Sequence, residues 1–163
     1  MAKKGKKKEN KADKPFSPRI NNKKARFNYH FIEKLETGVV LEGTEVKSLR
    51  NGKASLDEAY CRIRGGELFL LECNISEYSH GNIYNHVPKR PRKLLIHKRQ
   101  IRQIEIKLNQ KGLTVVPTRI YFNDRGLAKV EIAIAQGKSQ SDKRDKMKSQ
   151  QQERDVKRAM SRY

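Results

Sequence analysis

Tryptophan is absent from this chain of 163 residues, cysteine occurs twice, and only 35% of the residues are hydrophobic. Each scarcity excludes something. Cys61 and Cys73 form no CxxC pair and the four histidines are scattered, so no zinc site is expected. A hairpin turn at Gly65-Gly66 would set position 61 opposite about 70 and position 73 opposite about 58. The two thiols then read as small buried residues in a reducing compartment, not as a disulfide. No apolar run approaches the ~20 residues of a membrane span, and neither end has a broad apolar face for lying on lipid. The basic start is followed by no apolar h-region, so the cytoplasm is the expected location, with no membrane partner.

Catalytic signatures are missing too. His30, His80, His86 and His97 make no HxxxH or HExxH, and neither GxSxG nor GxxxxGK[ST] occurs. No spacing singles out a general acid–base pair. A non-catalytic protein without cofactor or metal is expected. Beyond Gly137 there is no further glycine or proline and little to build a core with.

What is abundant is positive charge, +20 in all. Residues 1–26 hold 11 Lys/Arg and 2 acids; residues 27–136 hold 18 and 12; residues 137–163 hold 9 and 4. The excess is densest at the ends, and a polyanion, nucleic acid first, is the expected partner. The length suits one domain with tails. Residues 1–22 read as a disordered Lys-rich extension, 23–136 as the domain, and 137–163 as a basic tail that is disordered when free.

Within the domain, 29–43 reads as extended with a bend at Gly38. Thr44 caps a short helix with Val46 and Leu49 inward, ended by Asn51-Gly52. Two apolar runs around Gly65-Gly66 predict a β-hairpin. Ile101, Ile104 and Leu108 recur at helical spacing, with Gly112 as the C-terminal cap after Lys111. Strand structure returns at 113–122, with Pro117 marking an edge or bulge. A turn at 123–126 leads to a half-buried strand in which Val130, Ile132 and Ile134 alternate with Lys129, Glu131 and Ala133. Five or six strands with an inserted helix suit a mainly β fold, a small OB-like antiparallel barrel.

No acid occurs from Tyr78 to Ile104, a stretch holding Lys89, Arg90, Arg92, Lys93, Lys98, Arg99 and Arg102. Such a cluster, anchored by Leu94-Leu95-Ile96, neutralises phosphates. Tyr29, Phe31, Tyr60, Tyr78 and Tyr84 interleave with it and could stack unpaired bases. In the tail, Val156, Ala159, Met160 and Tyr163 make a narrow apolar stripe on a basic helix that could fold on RNA. A structural ribosomal component of OB type would share these features.

Three strings narrow this further: "GTEVKSLRNGKA", "RPRKLLIHKRQI" and "KGLTVVPTRIYFNDRGLAKVEIAIAQGK". With "NKKARFNYHFIEKLE" and "DKR", they resemble the SsrA-binding protein (small protein B) family over about Asn22 to Arg158. The resemblance implies an OB-like barrel that acts as a monomer. It implies binding to the tRNA-like domain of tmRNA, which the protein brings to the A site of a stalled ribosome in trans-translation. It also implies a tail that enters the decoding centre and the empty mRNA channel and becomes helical. Family RNA contacts map onto Tyr29, Glu36, Tyr60, Leu95 and His97. The basic neighbours Lys89, Arg90, Arg92, Lys93, Lys98 and Arg99, with Lys47 and Arg50, complete the implied RNA-binding set. Gly137, Lys138, Asp142, Lys143, Arg144, Val156 and Met160 make up the implied ribosome-contacting tail. Ser141 departs from the pattern, standing where the family places an aromatic or His.

Overall fold

A computed structural model describes residues 18–110 and 112–161. The strands are β1 (Ile20–Asn21), β2 (Tyr29–Val39), β3 (Ala54–Ser55), β4 (Tyr60–Arg64), β5 (Glu67–Leu71), β6 (Asn74–Ile75), β7 (Arg92–Leu95), β8 (Leu113–Phe122) and β9 (Ala128–Gly137). The helices are α1 (Lys23–Asn28), α2 (Gly43–Arg50), α3 (Lys98–Leu108) and α4 (Gln140–Met160). Among the described residues no helix is long and apolar enough to cross a membrane. Expectations for residues 1–17, Lys111 and Tyr163 fall outside the described residues.

The antiparallel pairings run β8–β4–β5–β7–β2–β9 and return from β9 to β8, a closed circuit of six strands. The seam between β4 and β8 is thin, a single partnership of Cys61 with Val115. The inward residues Leu68, Leu70, Leu94, Ile120, Ile132 and Ile134 are buried together, each worth about 1.5–3 kcal/mol. α3 adds Ile101 and Ile104, both buried, and packs on β8. Its C-cap is Asn109 instead of Gly112, which adopts positive φ just beyond.

The hairpin at Gly65-Gly66 forms as expected, with Cys61 opposite Leu70. Both glycines have positive φ, which side chains disfavour. Both cysteines are free and buried. The turn after Asn123 closes through Gly126 N–H to the Asn123 carbonyl at 2.9 Å. Pro117 does lie at a bulge, between Pro117 and Arg119.

Several expectations are corrected. β2 runs unbroken through Gly38; its irregularity is between Phe31 and Glu33. A Cβ on Gly38 would meet Leu95 Cβ at 3.2 Å, so this glycine serves close approach. β9 is covered on both faces over 132–135, because Ala135 joins a second cluster with Ala25 and Val116. The sheet already includes Ile20–Asn21, paired to β8, so the fold begins before residue 23. Asn22 is buried and caps the unanticipated α1, and its amide donates to the Leu56 and Pro117 carbonyls at 2.8 and 3.0 Å.

Thr44 does not cap α2. The cap is Glu42, whose N–H donates to Glu45 at 2.8 Å. The Thr44 hydroxyl instead meets His86 Nδ1 at 2.9 Å, while His86 Nε2 reaches the Ile75 carbonyl at 3.0 Å. Glu45 and Arg92 both have 0% exposure. Arg92 Nε donates to Glu45 Oε1 at 2.8 Å, and Arg90 donates to both carboxylate oxygens at 2.9 and 2.6 Å. The rest of the Arg92 guanidinium is taken by the Cys73, Arg90 and Pro88 carbonyls at 2.6, 3.2 and 2.9 Å. Burial pushes the Glu45 carboxyl up; Arg90, the Glu42 amide and Arg92 reverse this and hold it below its ordinary value.

Removing the charge should be costly. Glu45→Gln leaves Arg92 buried without its counter-ion, and chemical denaturation should report a loss of about 3–5 kcal/mol. Because the folded carboxyl lies below its unfolded value, the stabilisation is complete above the ordinary carboxylate range, about pH 4. It is lost as pH falls through the folded value. An unchanged denaturation midpoint in Glu45→Gln would contradict this account.

Candidate nucleic-acid interface

Directly paired residues of an antiparallel sheet present side chains to the same face. One such row runs Leu95–Gly38–Lys129–Tyr121 across β7, β2, β9 and β8. The next runs Glu36–Glu131–Arg119. These rows form an outer face on which Leu95 is 52% exposed. His97, the N-cap of α3, follows two residues later and is exposed. Two residues implied by resemblance, Glu36 and Leu95, are thus brought to one face of the sheet, and His97 follows Leu95 at the start of α3.

Glu36 and Glu131 sit directly opposite, an arrangement that like charges disfavour. Their neighbours compensate. Tyr121 donates its hydroxyl to Glu36, and Lys129 Nζ lies 3.6 Å from it. Glu131 accepts from Thr118 at 2.6 Å and Arg119 at 2.7 Å, with Lys34 at 3.4 Å. Burial pushes Glu131 up, and these partners bring it below the usual carboxylate range. The Tyr121 phenol is pushed up to about 12, by burial first and then by the Glu36 carboxylate. A held carboxylate beside an exposed leucine can accept from a base amine or a 2′-hydroxyl while an apolar surface lies alongside.

The basic cluster divides in two. Lys89 is paired with Glu58 and Glu72 at 3.3 and 3.2 Å, and Lys93 with Glu67. Arg90 is held by Glu45 and lies 3.3 Å from Glu42. Arg92 is buried, so its guanidinium holds the fold and reaches no surface ligand, contrary to the sequence expectation. Lys98, Arg99 and Arg102 are exposed on α3 and make no ion pair among the described residues. No acid occupies the first turn of α3, so its cations stand where the helix dipole favours anions. On α2, Lys47 lies over the Tyr78 ring at 5.3 Å and Arg50 over Phe122 at 5.7 Å.

Tyr29 and Tyr60 lie elsewhere. They line one groove with Lys24 and Asn28, and seven residues of β2, about 23 Å, separate Tyr29 from Glu36. The tail starts beside them, since Gly137 pairs with Tyr29. Ser139 caps α4, its hydroxyl accepting from Asp142 N–H at 3.2 Å while Asp142 accepts from Ser139 N–H at 3.1 Å. Asp142 therefore has a local structural task. Ser141 bonds Ser139 hydroxyl to hydroxyl at 2.8 Å. Lys138 and Lys146 donate to the Arg26 carbonyl at 3.4 and 2.9 Å, and Lys146 lies over Phe27. No residue of α4 is buried; Lys143 is half-buried, Arg144 is exposed, and Val156 and Met160 are open to solvent.

Among the described residues no group of three His, Cys, Asp or Glu could hold a metal. Sequence reasoning missed Tyr121, Lys129, Arg119 and Lys34. The alternation along β9 turns Lys129 and Glu131 outward, but their meeting with Tyr121, Arg119, Lys34 and Glu36 depends on the strand register.

The model of the SmpB protein family matches residues 19–162. The chain is 53% identical to the SsrA-binding protein of Fervidobacterium nodosum, over 83% of this chain and 91% of the relative. It is 47% identical to the SsrA-binding protein of Desulforamulus reducens, over 91% and 92%. A chain of the solved structure described as "tmRNA-SmpB: a journey to the center of the bacterial ribosome" superposes with a TM-score of 0.65. That chain is 46% identical, covering 76% of this chain and 86% of its own length.

The Glu36–Tyr121 bond is open to titration. Glu36→Gln removes the carboxylate beside the phenol, so Tyr121 should ionise at lower pH, nearer the ordinary value of about 10. Phenolate absorbance would show this, with Tyr121→Phe identifying the transition. An unmoved transition would mean that the pair does not form.

Proposed function

The chain belongs to the SmpB protein family, and we propose that it binds the tRNA-like domain of tmRNA and delivers it to the A site of stalled ribosomes. Peptide tagging by trans-translation follows, with this chain making and breaking no bond itself. The observation that carries the reading is the outer face that holds Glu36 and Leu95, followed directly in the chain by His97 and the unpaired cations of α3. A fixed acceptor and an apolar contact can discriminate among RNA shapes, while Lys98, Arg99 and Arg102 hold phosphates. Tyr29 and Tyr60 offer a second contact at the far end of β2. The family's names and the ribosome-bound neighbour support the same partners.

The tail takes a different task. We propose that 137–163 enters the empty mRNA channel as a helix, with Lys143 and Arg144 near the decoding centre and Val156 and Met160 farther along. A helix of 21 residues with nothing buried supports this, because it has an apolar stripe and no surface of its own fold to place it on. Ser141 offers a hydroxyl where a ring would stack, so base stacking is not available at that position.

Binding to tmRNA, tRNA and an unrelated structured RNA across a salt series tests the first claim. A preference for tmRNA that survives raised salt is expected. Equal binding that collapses together would move the reading to a general ribosomal component. Truncation after Gln136 should leave tmRNA affinity within a few fold and abolish tagging of stalled chains. Full tagging by the truncated chain would overturn the assignment to the tail.

A further inference from the structure

A cleft of about 370 Å³ opens between α1 and the outer sheet face, lined by Lys23, Arg26, Phe31, Lys34, Arg119 and Glu131 among others. We propose that it holds the phosphodiester backbone of the RNA strand read at Glu36, one nucleotide step or so away. The proposal rests on the RNA-binding reading above and names a subsite that reading did not contain.

The cleft exists because of irregularity in β2. Phe31 pairs with Ala135 and Lys34 with Ala133, two positions apart on β9, although Lys34 is three positions after Phe31 in sequence. The extra residue of the bulge turns both side chains to the outer face. They therefore continue the row that carries Glu36, and Lys34 lies two residues from Glu36, about 7 Å along the strand. α1 raises the opposite wall, with Lys23 and Arg26 exposed on it.

The charge favours an anion. Four cations line the cleft against the single carboxylate of Glu131. Both Glu131 oxygens are already taken, Oε1 by Thr118 and Lys34 and Oε2 by Arg119. Lys23 and Arg26 make no side-chain ion pair among the described residues. An incoming phosphate would meet Lys23 and Arg26 with no ion-pair partner, and Lys34 and Arg119 already held in place by Glu131. Phe31, with Lys34 Nζ 5.8 Å from its ring centroid, provides an apolar floor against which a ribose can rest. These are contacts of the kind that position a backbone without reading sequence.

The test uses the full chain and the tRNA-like domain of tmRNA. In the double variant Lys23→Gln/Lys34→Gln, the slope of log affinity against log salt should become shallower by roughly 1.5, as loss of two phosphate contacts implies. The melting temperature should fall only slightly, because Lys23 is exposed and the Lys34–Glu131 pair at 3.4 Å is a surface pair. The matched control is Arg62→Gln/Arg64→Gln, which removes the same charge from exposed positions on β4, outside the cleft; its slope should stay at the parent value. An unchanged slope in the lysine variant overturns the proposal. So does an equal fall in the control, which would mean diffuse attraction. A parent chain with no preference for tmRNA defeats the function proposed above instead. The cleft is then still judged by the slope difference on whichever RNA binds.

Discussion

Two arginines share one buried carboxylate, and the position of the interface follows from that. Glu45 lies on α2, and Arg90 and Arg92 lie at the entry to β7. Their bonds pin helix to strand and thereby set the register of β7. With that register Leu94 points into the core and Leu95 points out. A slip by one residue would exchange them and carry His97 and the start of α3 with them. Such ion clusters need not exceed a hydrophobic replacement in stability. Here the cluster holds a geometry that apolar packing would leave less directional.

The same pairing explains why the charge run at 89–102 misleads when read alone. The stretch contains no acid, yet four of its cations are engaged by Glu42, Glu45, Glu58, Glu67 and Glu72. Those acids arrive from other segments, and sequence proximity carries no record of them. Features written in local chemistry were legible: the Gly65-Gly66 turn, the turn at 123–126, the stripe of α3 and the bulge at Pro117. The six residues of α1 are too few for a period to show. The bulge at Ile32 has no proline or glycine to announce it, although it shapes the outer face. Glu36, Leu95 and His97 were reached through family resemblance. Tyr121 and Lys129, which hold Glu36 in place, emerged only when the strand register was known.

Core and tail obey different physics. The barrel buries its apolar residues and spends most of its acids on internal pairs, which leaves a few cations free at chosen places. α4 buries nothing. It rests on its Ser139–Asp142 cap, the Lys138 and Lys146 bonds to α1, and surface pairs such as Gln151 with Asp155 at 3.1 Å. Helices without tertiary burial are marginal in water, so a partner's surface can decide the position of this one at little cost to the core.

The most direct test of this division is lysine reactivity, measured by labelling and mass spectrometry with and without the tRNA-like domain of tmRNA. Lys89 and Lys93 keep nearly half of their side-chain surface exposed, at 48% and 43%, and so report as well as any other lysine. The account predicts that Lys98 and Lys129 become protected while Lys89 and Lys93 react as in the free chain. Protection of Lys89 and Lys93 with Lys98 and Lys129 unchanged would contradict it, and would put the RNA on the face built from internal ion pairs.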